Sequence, residues 1–149
     1  MEIPVAALTM CDGRDEVLKA CRNNLWNGGT QIEIKVMADG GVASEFDPIH
    51  IVQLTLDEMK AAVDVATDYG NYLLAHTYHN LSVNRCIDAG VKCVEHGFLM
   101  GEATMKRMAK EGVALSCQAV PSKQQSNAPL VNLSPSLPNS KTNKQLLIN

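Results

Sequence analysis

The chain alternates between two hydrophobic patterns, one with the period of a helix and one typical of a buried strand. Helical spacing or helix-end signals occur in four segments: residues 13–29, the stretch from Thr55 to Gly70, a short stretch ending at Gly90, and residues 102–112. Strand patterns occupy about residues 31–37, 72–77, 91–97 and 113–119. Strands that alternate with helices favour a parallel sheet covered by helices. The sequence therefore predicts an α/β fold with four helix–strand units.

The helix that begins after Thr55 has the clearest boundary signals. Thr55 and Glu58 have the spacing of a capping box, in which the hydroxyl and the carboxylate satisfy free N–H groups at a helix start. Gly70 is the expected C-terminal stop. Residues 38–54, between the first strand and this helix, are predicted to form a long loop.

Lys35 is unexpected in a strand. It alternates with Ile34 and Val36, so it faces away from them. Lysine is rarely buried, because an unpaired ammonium in an apolar site costs several kcal/mol. Either Lys35 lies on a solvated edge, or it has a chemical reason to face inward.

The composition changes after Val120. Residues 120–149 contain four prolines, five serines, five asparagines and three lysines, with no acidic residue. Such a segment has too little apolar surface to offset its ordering entropy. We therefore predict a structured domain over residues 1–120 and a disordered tail over residues 121–149.

Charge and composition exclude several classes of protein. The 149 residues are 46% hydrophobic and 19% charged, as in an ordinary globular domain, and their net charge is −3. This charge gives no argument for binding nucleic acid or an anionic membrane. The N-terminus has no signal-peptide pattern, and no apolar run approaches the length of a membrane span. The five cysteines form no C-x-x-C pair and are expected to be reduced thiols in the cytoplasm.

The histidines and Lys35 are the candidate chemical groups. His76 and His96 lie near the C-terminal ends of two successive strands, and Lys35 lies on the preceding one. Active sites of parallel α/β folds form at these strand ends, so the three groups could meet. Imidazoles there suit a catalytic zinc site, although each could instead be a hydrogen-bonded structural residue. His79 and His50 are expected to lie in loops.

A phosphate-binding turn is a weaker alternative. Gly40 and Gly41 follow a strand, which could indicate a small nucleotide- or phosphate-binding domain. The G-x-G-x-x-G spacing is absent, however, and the next helix begins some fourteen residues later. The sequence also has no G-x-S-x-G elbow of a serine hydrolase.

Four stretches together resemble a known family. "IKVMADGGVASEFDPI", "LLAHTYHN", "AGVKCVEHGFLM" and "EATMKRMAKEGV" occur in this order between about Asp12 and Val120. They are similar to the imidazolonepropionase-like and prolidase-like branch of the metal-dependent amidohydrolase superfamily. That branch includes dipeptidases and an amide hydrolase that cleaves ochratoxin. The resemblance implies a partial (β/α)8 TIM barrel that contains family strands four to seven.

The same resemblance implies roles for four residues. Lys35 matches the lysine that reacts with CO2 to give a carbamate bridging two divalent metals, most often zinc. His76 and His96 match two further metal ligands, and Tyr78 matches a tyrosine that contacts the substrate near its scissile carbonyl. The physical chemistry is consistent, because an ammonium has no lone pair for a metal whereas a carbamate offers two anionic oxygens.

Two departures from the family limit the expected activity. The sequence has no His-x-His pair and no recognisable final strand with the general-base aspartate. We therefore expect an internal, truncated or mis-spliced piece of a hydrolase that acts on a small amide or peptide, inactive or weak by itself. The alternative is a non-catalytic half-barrel that associates with itself or a partner through open sheet edges.

Overall fold

Four parallel strands and four helices alternate in a computed structural model that describes residues 9–26, 33–41 and 47–117. Their order is α1 (Arg14–Trp26), β1 (Glu33–Met37), α2 (Leu56–Asp68), β2 (Tyr72–His79), α3 (Asn80–Ala89), β3 (Cys93–Leu99), α4 (Glu102–Glu111) and β4 (Ala114–Ser116). The predicted α/β fold and its four helix–strand units are confirmed. The domain boundary at residue 120 and the tail over residues 121–149 lie outside the described residues.

The strands pair in the order β1-β2-β3-β4, and all three pairings are parallel. A sheet whose spatial order follows the chain order, without reversal, is the wall of a barrel rather than a doubly wound sheet. Each crossover helix therefore packs on the same face of the sheet. That face and the helices form the core.

Strand alternation separates the core from the opposite face of the sheet. Ile34, Val36 and Ala38 are buried in the core with Leu73 and Ala75 of β2. The helices add apolar side chains at helical spacing, including Val17, Cys21, Met59, Ala62, Val65, Val83 and Cys86. The buried cysteines are free thiols that act as small apolar residues, as predicted.

The predicted helix boundaries agree with the structure. Thr55 caps α2 in a complete capping box with Glu58. Gly90 ends α3 in the left-handed conformation that a C-terminal glycine provides. No helix within the described ranges is long and apolar enough to cross a bilayer.

The predicted position of His79 is wrong. β2 continues two residues beyond the expected end, so His79 is its last residue and also the N-cap of α3. Its Nδ1 accepts from the backbone N–H of Ser82 at 3.5 Å. Part of the predicted loop after β1 is also ordered, because Asp39 forms an antiparallel bridge with Val52.

The Glu58 carboxylate connects α2 to the turn before α1. Its Oε1 accepts from the backbone N–H of Gly13 at 2.7 Å, and its Oε2 accepts from Thr55 N and Oγ1 at 2.8 and 2.7 Å. Burial alone would raise the pKa of Glu58, but these hydrogen bonds outweigh it and lower the pKa below its ordinary value of 4.5. The ionised form therefore stabilises the fold.

Glu58→Ala should lower the free energy of unfolding by about 1–2 kcal/mol at neutral pH, because two backbone N–H groups lose their acceptor. Since the folded-state pKa is depressed, this contribution is full above pH 4.5 and is lost as the pH falls through the folded value. Urea unfolding at pH 7 and pH 3.5 measures both effects. The exposed Glu111→Ala is the control, and an equal loss there would contradict the assignment.

Candidate active site

The face of the sheet opposite the core carries most of its buried polar groups. Register places Lys35 beside Leu74, and His76 between Met37 and Glu95. Because alternate residues of a strand share a face, Lys35, His76, Tyr78 and Glu95 point to the same side. His76 and Tyr78 are 6% and 7% exposed, so this face is largely shielded from water.

Lys35 faces inward and has a charged partner there. Its Nζ forms an ion pair with Oε2 of Glu95, and both side chains are mostly buried. The same Glu95 oxygen lies 3.9 Å from Nε2 of His96. Glu95 therefore links the lysine of β1 to the histidine of β3, although the two strands are not neighbours.

The tautomer of His76 follows from one hydrogen bond. Its Nε2 lies 3.0 Å from the carbonyl oxygen of Gly40. A carbonyl oxygen can only accept, so Nε2 carries the proton and Nδ1 holds a lone pair in the neutral ring. Histidines that bind metals commonly have this arrangement, in which a backbone carbonyl orients the ring.

His96 reaches the site through an unusual backbone conformation. Its φ is 73°, in the left-handed region that non-glycine residues rarely adopt. Its ring lies 4.7 Å from the ring of His76, between centroids. Burial, with smaller contributions from His76 and Lys35, lowers the pKa of His96 to about 4, so the ring is neutral near pH 7.

Tyr78 completes an aromatic cluster with the two histidines. Its ring stacks on His96 at 5.3 Å and meets the edge of His76 at 4.9 Å. Phe98, half exposed, stacks beyond Tyr78 at 6.3 Å. Tyr78 thus lies between the imidazole pair and an apolar, accessible side chain.

A buried aspartate lies two residues after β1. Asp39 is 0% exposed, and its Oδ2 accepts from Thr77 Oγ1 at 2.8 Å and from the backbone N–H of Tyr78 at 2.7 Å. Burial raises the pKa of Asp39, and these hydrogen bonds oppose the rise. The carboxylate therefore connects the end of β1 to the part of β2 that carries the site.

The structure brings together all four residues that the sequence singled out: Lys35, His76, Tyr78 and His96. His50 is exposed, as expected for a loop residue. Sequence reasoning missed Glu95 and Asp39. The first has the strand parity of a site residue, and the second lies two residues after a strand end, so both signals were present in the sequence.

The donor set fits a divalent metal only in part. Across residues 9–26, 33–41 and 47–117, no cluster of three or more His, Cys, Asp or Glu side chains has metal-binding geometry. Two imidazoles are present, however, and Nδ1 of His96 is buried without a hydrogen-bond partner in the described part of the chain. Lys35 becomes a third donor only as a carbamate, which supplies anionic oxygens. The residues therefore fit a metal only if Lys35 is modified in this way.

The sequence profile of the Amidohydrolase family matches residues 1–146. The chain belongs to the amidohydrolase family. It is 32% identical over 106 residues to ochratoxinase from Aspergillus niger, a match that covers 71% of this chain and 22% of that protein.

Solved structures of amidohydrolases give the same result for the fold. A prolidase complexed with N-methylphosphonate-L-proline has a TM-score of 0.67 and 40% identity, covering 70% of this chain and 25% of that one. A Xaa-Pro dipeptidase with methionine in its active site has a TM-score of 0.65 and 33% identity, with coverages of 70% and 25%. The four-stranded sheet is thus part of a (β/α)8 barrel, and the chain spans about a quarter of the length of these relatives.

Replacing Gly40 should disturb the loop whose backbone carbonyl orients His76. A Cβ at Gly40 would clash with the carbonyl oxygen of Pro48, whereas a Cβ at Gly41 meets nothing within 4 Å among the residues that the structure describes. We expect Gly40→Ala to displace the Gly40 carbonyl and free the His76 ring, while Gly41→Ala leaves both in place. Histidine-ring 15N chemical shifts measure the change, and equal spectra for the two variants would contradict this prediction.

The backbone strain at His96 should reverse an ordinary stability order. At a positive φ, glycine avoids a cost of about 1 kcal/mol that any Cβ incurs, so His96→Gly should be more stable than His96→Ala by about that amount. At the neighbouring Glu95, Glu95→Gly should instead be less stable than Glu95→Ala by about 0.5–1 kcal/mol. Urea unfolding of the four variants checks the reversal, which would be absent if His96 had ordinary strand geometry.

Proposed function

We propose that this chain supplies part of a metal-dependent site that hydrolyses an amide or peptide C–N bond, as in a dipeptidase. The observation that carries the proposal is the pair of buried imidazoles 4.7 Å apart, beside an inward-facing lysine. The names of the relatives support this substrate class, since a prolidase and a Xaa-Pro dipeptidase share 40% and 33% identity with the chain.

Lys35 is the residue whose chemistry must change. In its ammonium form it pairs with Glu95 and has no lone pair for a metal. Once the ammonium has lost a proton to solvent, the neutral Nζ attacks the carbon of CO2. A C–N bond forms, the second Nζ proton leaves, and a carbamate anion remains. The carbamate is the two-oxygen donor that the proposed site needs.

The imidazoles would hold the metal, with zinc the best match to a donor set of nitrogen and oxygen. When bound, a pair of divalent ions lowers the pKa of water and polarises the amide carbonyl. His76 presents Nδ1 because the Gly40 carbonyl retains the proton on Nε2. Tyr78 stacks against His96, and we assign it the contact with the substrate near its scissile carbonyl.

The activity of the 149 residues by themselves should be low. The sequence contains no His-x-His pair, so two imidazoles and the carbamate are the only family-type ligands that we assign to it. Two ions held by so few ligands should bind weakly. We therefore expect binding of metal with little turnover.

Lys35→Gln should abolish the bicarbonate-dependent part of zinc binding, because an amide cannot form a carbamate. The measurements are zinc retained after dialysis with and without bicarbonate, and the carbamate carbon signal from 13C-labelled bicarbonate. The exposed Lys60→Gln is the control and should behave like the unmodified chain. Absence of a carbamate signal would contradict the role of Lys35, and rapid hydrolysis of a dipeptide ending in proline would contradict the low activity.

A second candidate is a non-catalytic half-barrel that associates with another copy of itself. The observation that favours it is a group of large apolar side chains on β3 and β4, Phe98, Leu99 and Leu115, which are 51%, 53% and 44% exposed. Exposed apolar groups beside a sheet edge favour association. A concentration-independent monomer in sedimentation would reject this candidate and leave the metal proposal untouched.

A further inference from the structure

Asp39 makes a set of contacts that neither the family resemblance nor the proposed ligands account for. Its Oδ2 accepts from Thr77 Oγ1 at 2.8 Å, from Tyr78 N at 2.7 Å and from His79 N at 3.4 Å. The pairing of β2 with β3 shifts its register between Thr77 and His79. The carboxylate therefore holds β2 at the point where its regular geometry ends.

The other carboxylate oxygen faces the proposed metal ligand. Asp39 Oδ1 is buried, accepts no hydrogen bond in the described part of the chain, and lies 3.9 Å from Nε2 of His76. The Nε2 proton of His76 thus has two acceptors nearby, Oδ1 of Asp39 and the Gly40 carbonyl at 3.0 Å. Both acceptors favour the same tautomer.

His79 is a second imidazole oriented toward this carboxylate. Because its Nδ1 accepts from Ser82 N, the proton of the neutral ring is on Nε2. That Nε2 is buried and lies 3.7 Å from Oδ2 of Asp39. Each carboxylate oxygen of Asp39 therefore has an imidazole Nε2 within 4 Å.

We propose that Asp39 is a positioning residue that supports the His76 tautomer set by the Gly40 carbonyl and holds the backbone of Tyr78. This inference rests on the proposed function, because it matters for activity only if His76 binds a metal through Nδ1. We assign Asp39 no direct contact with metal or substrate. It acts by keeping a proton on Nε2 of His76 and by holding the residues that follow His76 in place.

Asp39→Asn separates these two effects. Three donors converge on Oδ2, so the amide oxygen must take that position and the amide NH2 group must replace Oδ1. The backbone of Tyr78 then remains held. The NH2 group, however, is a donor that faces the Nε2 proton of His76, so it opposes the Gly40 carbonyl and raises the population with the proton on Nδ1. A protonated Nδ1 has no lone pair for a metal.

The experiment uses the full chain with 15N-labelled histidine and Co2+ as the metal probe. In the metal-free chain, long-range 1H–15N spectra should report His76 with its proton on Nε2. Asp39→Asn should raise the population with the proton on Nδ1 and weaken Co2+ binding about tenfold, measured by visible absorption. The exposed Asp68→Asn is the control and should change neither.

The outcomes distinguish this proposal from the metal site itself. If Asp39→Asn leaves the His76 spectrum unchanged, or if the unmodified chain already has its proton on Nδ1, the positioning proposal is wrong. If the spectrum changes but the unmodified chain does not bind Co2+, the proposal holds and the metal function fails.

Thr77→Val removes one donor to Asp39 and is the replacement test if Asp39→Asn does not fold. A smaller change in the same direction supports the proposal, and no change rejects it.

Discussion

The loss of water around the polar face of the sheet is the constraint on which the site depends. A buried polar group costs free energy unless it finds a partner, so each side chain on this face must be matched from a neighbouring strand or loop. Lys35 is matched by Glu95 two strands away, and His76 by a carbonyl of the segment after β1. These pairings work only in the observed register, so the strand order that builds the core also assembles the site.

Asp39 and Gly40 help to meet this need for partners, and they set the geometry of the site. Asp39 ties β1 to the backbone of β2, and Gly40 lets the chain approach Pro48 more closely than any side chain would allow. The carbonyl that orients His76 belongs to this same glycine. The carbonyl of Gly40 can reach His76 only if the backbone passes close to Pro48. The close packing at Gly40 and the tautomer of His76 therefore depend on the same residue.

Signals within a few residues of one another predicted most of the fold, but they could not predict which side chains meet across the strands. Capping at Thr55 and the left-handed glycine at Gly90 act within a few residues, so the sequence alone locates those helix ends. Alternation showed only that Lys35 faces away from Ile34 and Val36, and its partner Glu95 depends on the register of three strands. The position of His79 was missed because hydrogen bonding by Asp39, distant in sequence, accompanies the extension of β2 past Thr77. The motifs identified the candidate residues, and the register determined which groups they meet.

At Glu95, His96 and Gly97 the side chains of β3 stop alternating between the two faces of the sheet, and the site depends on this change. Alternation directs Glu95 to the polar face and would direct His96 into the core. The positive φ of His96 turns the chain, so consecutive side chains both reach the polar face. Gly97 also has a positive φ, 61°, at which any side chain is strained, and the end of the Met100 side chain would have to move to admit a Cβ. A strained residue persists only where its surroundings fix it. Here packing of Met100 and Leu115 around Gly97 maintains a conformation that an isolated strand would avoid, and this conformation brings the two imidazoles together.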